Sequence, residues 1–155
     1  MILTEENVAG PVACLEAMKT TYCVFNQTKE TFLALNVTCA STAVARLRGL
    51  LGKFAIRPGE GLWLVPSQGL HTMGLLFPID VVYLDADYRV IHVIEHLNPF
   101  RVAPIRLSAA TVLELPLHTI FTSQTRVGDQ LLVCLPDEMH VAIENANAKK
   151  KAAAK

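Results

Sequence analysis

"IDVVYLDADYRVIHVIEHLNP", residues 79–99, decides how this chain is read. Its second half contains His92, Glu95 and His96 as H-x-x-E-H, the pattern of a family of zinc peptidases. That chemistry requires a helix, where residues four apart share a face and two imidazoles can reach one metal. Two nitrogens bound to one zinc must lie within roughly 4 Å of each other. On a strand, rising about 3.3 Å per residue, His92 and His96 would stand roughly 13 Å apart. The local residues favour the strand. Val90, Ile91, Val93 and Ile94 are β-branched, stiff at χ1 and better suited to a pleated surface than to a helix. Asp85-Ala86-Asp87-Tyr88 reads as a turn and Asn98-Pro99 as a stop. The stretch therefore predicts a β-hairpin, with both histidines on one face and Glu95 on the other, and a metal site at His92/Glu95/His96 is rejected.

Outward from the hairpin, short apolar runs alternate with turn signals. "TYCVF" and "TFLALNVTCA" read as paired strands, the second with Phe32, Ala34 and Asn36 on one side and Leu33, Leu35 and Val37 on the other. "LWLV", "ATVLELP" and "QLLVCLP" read as further buried strands, and "HTIFTSQTRVGD" as a connection with one helical turn. "STAVARLRGLLGKF" predicts the main helix, over about 41–52. Ser41 or Thr42 can cap it, and Val44, Leu47, Leu51 and Phe54 form one apolar face. The expected class is mostly β (α+β): a small curled sheet or β-barrel with this helix packed against it. The expected organisation is a weakly patterned segment 1–20, one globular domain 21–136, and a C-terminal extension 137–155 with a solvated, frayed Ala/Lys tail.

Composition narrows the function classes. Of 155 residues, 52% are hydrophobic and only 18% charged, so a packed core is expected rather than disorder. Fourteen basic residues balance fourteen acidic ones, which gives no global attraction to nucleic acid or anionic lipid. No apolar run reaches the roughly 20 residues of a membrane span, and the N-terminal stretch lacks the pattern of a secretory signal. Cys14, Cys23, Cys39 and Cys134 are widely spaced without C-x-x-C, so reduced, buried thiols in a cytoplasmic protein are expected; a Cys23–Cys134 bridge stays open.

Polar residues that interrupt apolar runs mark the candidate site. Asp80 opens a strand after Phe77-Pro78-Ile79, His71 and Thr72 precede a segment broken by Gly74 and Pro78, and Asp129 follows Gly128. Glu114 lies in the middle of an otherwise apolar strand, where an unpaired carboxylate is costly. Each also has a structural explanation. Asp80 could accept backbone N–H bonds at a kink, Asp129 could close a turn, His71 could be a satisfied, partly buried histidine, and Glu114 could face the rim or pair with Arg106 or Arg126. Convergence of His71, Asp80 and Glu114 would make an acid/base or hard-metal site.

The stretch 46–93, with Arg46-x-x-Gly49-Leu50, Gly59-x-Gly61-Leu62, His71-Thr72-Met73-Gly74 and Pro78-Ile79-Asp80-Val81-Val82-Tyr83-Leu84-Asp85, followed by Leu113-Glu114-Leu115-Pro116 and Gly128-Asp129, resembles domain-of-unknown-function family 192 from about residue 30 to residue 135. The resemblance implies a compact mostly-β fold, no established activity, and recurring polar positions at Arg46, His71, Asp80, Glu114 and Asp129. Relatives often have Ala-Gly after the L-E-L-P, where this chain has Leu117-His118. The expected function is a non-catalytic module that binds a small ligand or partner segment near His71, Asp80 and Glu114, with Arg46, Thr72 and Asp129 as further candidates. The alternatives are a small hydrolase or metal-assisted enzyme using the same residues, and a structural subunit without a pocket. No cofactor, nucleic acid or membrane span is implied.

Overall fold

A computed structural model of the protein describes residues 20–41 and 55–154. The main helix expected over 41–52 therefore falls, apart from Ser41, outside the described residues, as do Arg46 and residues 1–19. Every strand expected from the sequence is present. They are β1 (Thr21–Asn26), β2 (Thr31–Ala40), β3 (Glu60–Leu64), β4 (Ile79–Leu84), β5 (Val90–Leu97), β6 (Thr111–Leu115) and β7 (Leu131–Cys134). A one-turn helix α1 (Thr119–Ser123) precedes β7, and a long helix α2 (Pro136–Ala153) follows it.

The strands form one curled sheet in the order β5-β4-β6-β3-β2-β1-β7. Among the described strands only β2 and β3 run parallel. The opening hairpin is β4–β5, with Tyr83 opposite His92 and Val82 opposite Val93. The sheet's edges come back together at one corner. Arg89 bridges Gln130, Val90 N–H donates to the Asp129 carbonyl at 2.9 Å, and Leu131 N–H donates to the Tyr88 carbonyl at 3.0 Å. The result is a half-closed barrel, which leaves few backbone groups unpaired at that corner.

The central strands are buried on both faces. All six residues of β4 and all five of β6 are buried. One face carries the inner core, including Val24, Val37, Trp63, Val82, Leu84, Leu113, Leu115 and Val133. The other carries Leu62, Leu64, Ile79, Val81, Tyr83 and Val112, covered by Leu75, Ala103 and Ala109 from two long connections. This double burial is why these strands read as continuous apolar runs. It also means that a polar side chain on β4 or β6 has no solvated face to turn to.

Two expectations about faces are corrected by bulges. In β2 the register slips between Tyr22/Val37 and Val24/Ala34, and the N–H groups of Leu35 and Asn36 both donate to the Gly59 carbonyl at 2.8 Å. Leu33, Ala34 and Val37 are consequently buried while Leu35 is exposed. In β5 the register slips opposite Asp80, and His96 takes a left-handed φ of 58°. The extra residue breaks the alternation, so the two-face pattern does not extend to His96.

The C-terminal extension is also corrected. It is helical through Ala153 rather than frayed. Alanine and lysine are strong helix formers, Pro136 sits in the first turn with Asp137 and Glu138, and Lys150 and Lys151 sit in the last, each sign matching the helix dipole. Met139 packs with Cys23, Phe25, Leu132 and Cys134, and Lys150 pairs with Glu30 at 3.3 Å. The cysteine expectation holds for Cys23 and Cys134, which are free, buried and opposite each other on β1 and β7. It fails for Cys39, which is disulfide-bonded. Disulfides persist in oxidising compartments, so wide cysteine spacing was no guide to redox state here.

Candidate functional site

β6 pairs with β4 so that Asp80 faces Leu115 and Val81 faces Glu114. Side chains alternate along a strand, so Asp80 shares the inner face with Val82 and Leu84, while Glu114 shares the outer face with Val81 and Val112. The two carboxyl groups lie on opposite sides of the sheet, and His71, Asp80 and Glu114 do not meet at one point. Nor do the described residues bring together three His, Cys, Asp or Glu side chains able to hold a metal ion.

Asp80 is 1% exposed, and both its oxygens are occupied. Oδ1 accepts the N–H of His96 at 3.1 Å, and Oδ2 accepts the N–H of Ile120 at 2.9 Å. The first bond satisfies the donor freed by the β5 bulge. The second satisfies an orphan N–H in the first turn of α1, whose own N-cap residue, His118, provides no side-chain cap. Asp80 thus holds two elements distant in sequence against one strand, the backbone-accepting role open to it at a kink.

Asp129 does similar work at the barrel corner. Its Oδ2 accepts the N–H of Arg126 at 2.9 Å and the side-chain amide of Asn26 at 2.8 Å, and Lys29 stands 3.8 Å from Oδ1. Asn26, fully buried, also donates to Thr125 Oγ1 at 3.2 Å and accepts the N–H groups of Thr28 and Lys29 at 3.0 Å. Sequence reasoning passed over Asn26. The available signal was a short amide ending an apolar strand, since such a side chain readily accepts backbone N–H bonds two and three residues on.

Thr72 is buried and staples two connections together. Its hydroxyl donates to the Asn98 carbonyl at 2.7 Å and accepts the N–H of Arg101 at 2.9 Å. His71 beside it is exposed and forms a β-bridge with Val102.

Glu114 differs from all of these. It is 6% exposed, and among the described residues no hydrogen bond or ion pair reaches its carboxyl. Neither expected arginine pairs with it. Arg106 reaches His92 instead, at 3.3 Å, and Arg126 contributes only its backbone N–H to Asp129. Burial pushes the Glu114 carboxyl up to about 7. Its neighbours across the sheet, Val81 and Leu62, are apolar. The group is therefore poised between a neutral acid that can donate a hydrogen bond and an uncompensated carboxylate.

The opening motif builds something other than a metal site. His92 packs against Tyr83 with ring centroids 5.3 Å apart and the rings tilted by 59°, and Tyr83 donates to the Pro104 carbonyl at 2.9 Å. Burial and then the Arg106 guanidinium hold the His92 imidazole below its ordinary range. His96 turns to Asn98, at 3.1 Å.

Comparison with known proteins places the chain. The family described as "Uncharacterized ACR", domain-of-unknown-function family 192, matches over residues 24–133. No curated protein matches the chain. A crystal structure of a protein of unknown function from Novosphingobium aromaticivorans is similar, with a TM-score of 0.61 at 18% identity over 72% of this chain and 82% of that one. So is a Sinorhizobium meliloti protein described as "a putative transcription regulator", with a TM-score of 0.60 at 21% identity over 71% of this chain and 89% of that one. At these identities both show a shared fold alone.

Proposed function

The chain belongs to domain-of-unknown-function family 192, and since that membership assigns no reaction we propose, from the residues, that it is a non-catalytic binding module whose recognition point is the Glu114 carboxyl. One observation carries the reading. Glu114 is buried among apolar side chains with no partner in the described structure, although other buried carboxylates in the same fold are fully engaged. Its oxygens keep a trace of solvent contact, unlike Trp63 Nε1 and Thr111 Oγ1, which are the buried polar atoms without a partner among the described residues, so leaving the carboxyl unpaired costs at most about 1–3 kcal/mol, a cost that a ligand donating a hydrogen bond would offset. The surrounding face asks for a ligand with an apolar flank and a donor head, such as an amine, a guanidinium or an amide. Asp80 and Asp129 serve this module as scaffold. The enzymatic alternative needs Asp80 and Glu114 to act on one substrate, and their placement on opposite faces weighs against it.

Thermal denaturation with butylamine at pH 8, where Glu114 is mostly ionised, tests the reading. The probe should raise the melting temperature of the wild-type protein and leave that of Glu114→Gln unchanged. Equal shifts in both, or none with butylamine, butylguanidine and butyramide in turn, would refute it.

A further inference from the structure

Residues 68–73 and 100–107 run side by side as an irregular ribbon. Thr72 N–H donates to the Arg101 carbonyl at 2.8 Å, Ala103 N–H to the Leu70 carbonyl at 2.9 Å, and Arg106 N–H to the Gln68 carbonyl at 2.7 Å. The ribbon's inner side, with Leu70 and Ala103, closes over the outer face of the sheet. Its outward side is unusual. Met73, Phe100, Val102, Ile105 and Leu107 on it, and Leu76 three residues beyond Met73, are all more than half exposed, from 52% for Met73 to 81% for Leu107. They make up six of the eleven large apolar side chains exposed among the described residues, so the exposure is concentrated in the two stretches 73–76 and 100–107.

The charges there have one sign. No acidic residue occurs from Gly61 to Ile79 or from Leu97 to Leu113, whereas Arg101 and Arg106 are both exposed. Each arginine is flanked in sequence by two exposed apolar residues, as Phe100-Arg101-Val102 and Ile105-Arg106-Leu107. The chain's overall neutrality therefore hides a locally basic and apolar surface.

We propose that this ribbon docks on an anionic lipid bilayer, with its apolar side chains entering the headgroup boundary and Arg101 and Arg106 contacting lipid phosphates. Projecting apolar side chains beside basic ones match such an interface, where burial and attraction to anionic lipid act together. Charge also argues against a second copy of the chain. A twofold contact would gather four arginines in one interface, with no carboxylate on the ribbon to relieve them. Nucleic acid fits poorly because Phe100 is the only aromatic side chain among the six. The described residues contain no helix long and apolar enough to cross a membrane, and the contact proposed is a peripheral one.

Co-sedimentation of the full chain with phosphatidylcholine vesicles, with and without phosphatidylglycerol, tests this. The wild-type protein should bind only the phosphatidylglycerol vesicles and should lose affinity as salt is raised. Arg101→Gln and Arg106→Gln should each weaken binding roughly fivefold. The double variant Val102→Asp/Leu107→Asp should remain in the supernatant while keeping the wild-type melting temperature, since both side chains are exposed. The proposal is overturned if the wild-type protein ignores phosphatidylglycerol, binds phosphatidylcholine equally, or binds no better than the double variant. Sedimentation without vesicles supplies the last outcome: self-association abolished by the double variant would assign the ribbon to a second copy and overturn the lipid reading.

Discussion

Replacing Glu114 by glutamine should make the protein more stable in alkaline solution and change little in acid. Glu114 carries a folded-state pKa of about 7 against an ordinary value of 4.5, because burial disfavours its charged form. Between those values the folded protein holds a proton that the unfolded chain has released, so stability falls as pH rises. The contribution of the neutral acid is fully present below about 4.5 and is lost as pH passes through 7. At 1.36 kcal/mol per pKa unit the loss amounts to about 3 kcal/mol by pH 8.5. Glutamine is nearly the same size and cannot ionise, so Glu114→Gln should escape this loss. Urea denaturation at pH 5 and pH 8.5 measures it directly. The two proteins should be within about 1 kcal/mol of each other at pH 5, with the variant ahead by about 3 kcal/mol at pH 8.5. In thermal melts that corresponds to a gap of about 10 °C. Parallel pH profiles for the two proteins would refute the reasoning, since they would show that the Glu114 carboxyl is not desolvated by folding.

Asp80→Ala removes the acceptor for the N–H groups of His96 and Ile120 and should cost about 3 kcal/mol in urea denaturation at pH 7; a change below 0.5 kcal/mol would contradict its scaffold role. His118 holds a φ of 71°, a left-handed conformation unfavourable for side chains with a Cβ, so His118→Gly should raise stability by about 1 kcal/mol in the same assay. The His92 imidazole should titrate below its ordinary range when followed by NMR, and Arg106→Gln should move it back upward while leaving the burial contribution in place.

Much of this architecture was legible in the chain itself. The seven strands, the β4–β5 hairpin and the rejection of a helical zinc motif all follow from local physics. β-branched residues favour a pleated surface, and Asp, Asn, Pro and Gly mark its turns. The odd position of Glu114 was visible too, because a carboxylate in an apolar strand violates a strong pattern. Local rules misled where composition was weighed without context. The Ala/Lys tail looked frayed because low complexity was given more weight than helix propensity, and the β2 faces were misassigned because a bulge leaves little trace in a sequence.

What the sequence determined by itself, then, was the set of elements and the short list of polar residues that do not belong on apolar strands. Only the tertiary structure separated those residues by role. A side chain's partners come from elements far along the chain: residue 80 meets 96 and 120, and residue 26 meets 129. Such pairings depend on how the sheet curls and where its bulges fall. Strand register, set by the packing of the whole sheet, put Asp80 and Glu114 on opposite faces and left the Glu114 carboxyl, unlike those of Asp80 and Asp129, without a partner among the described residues.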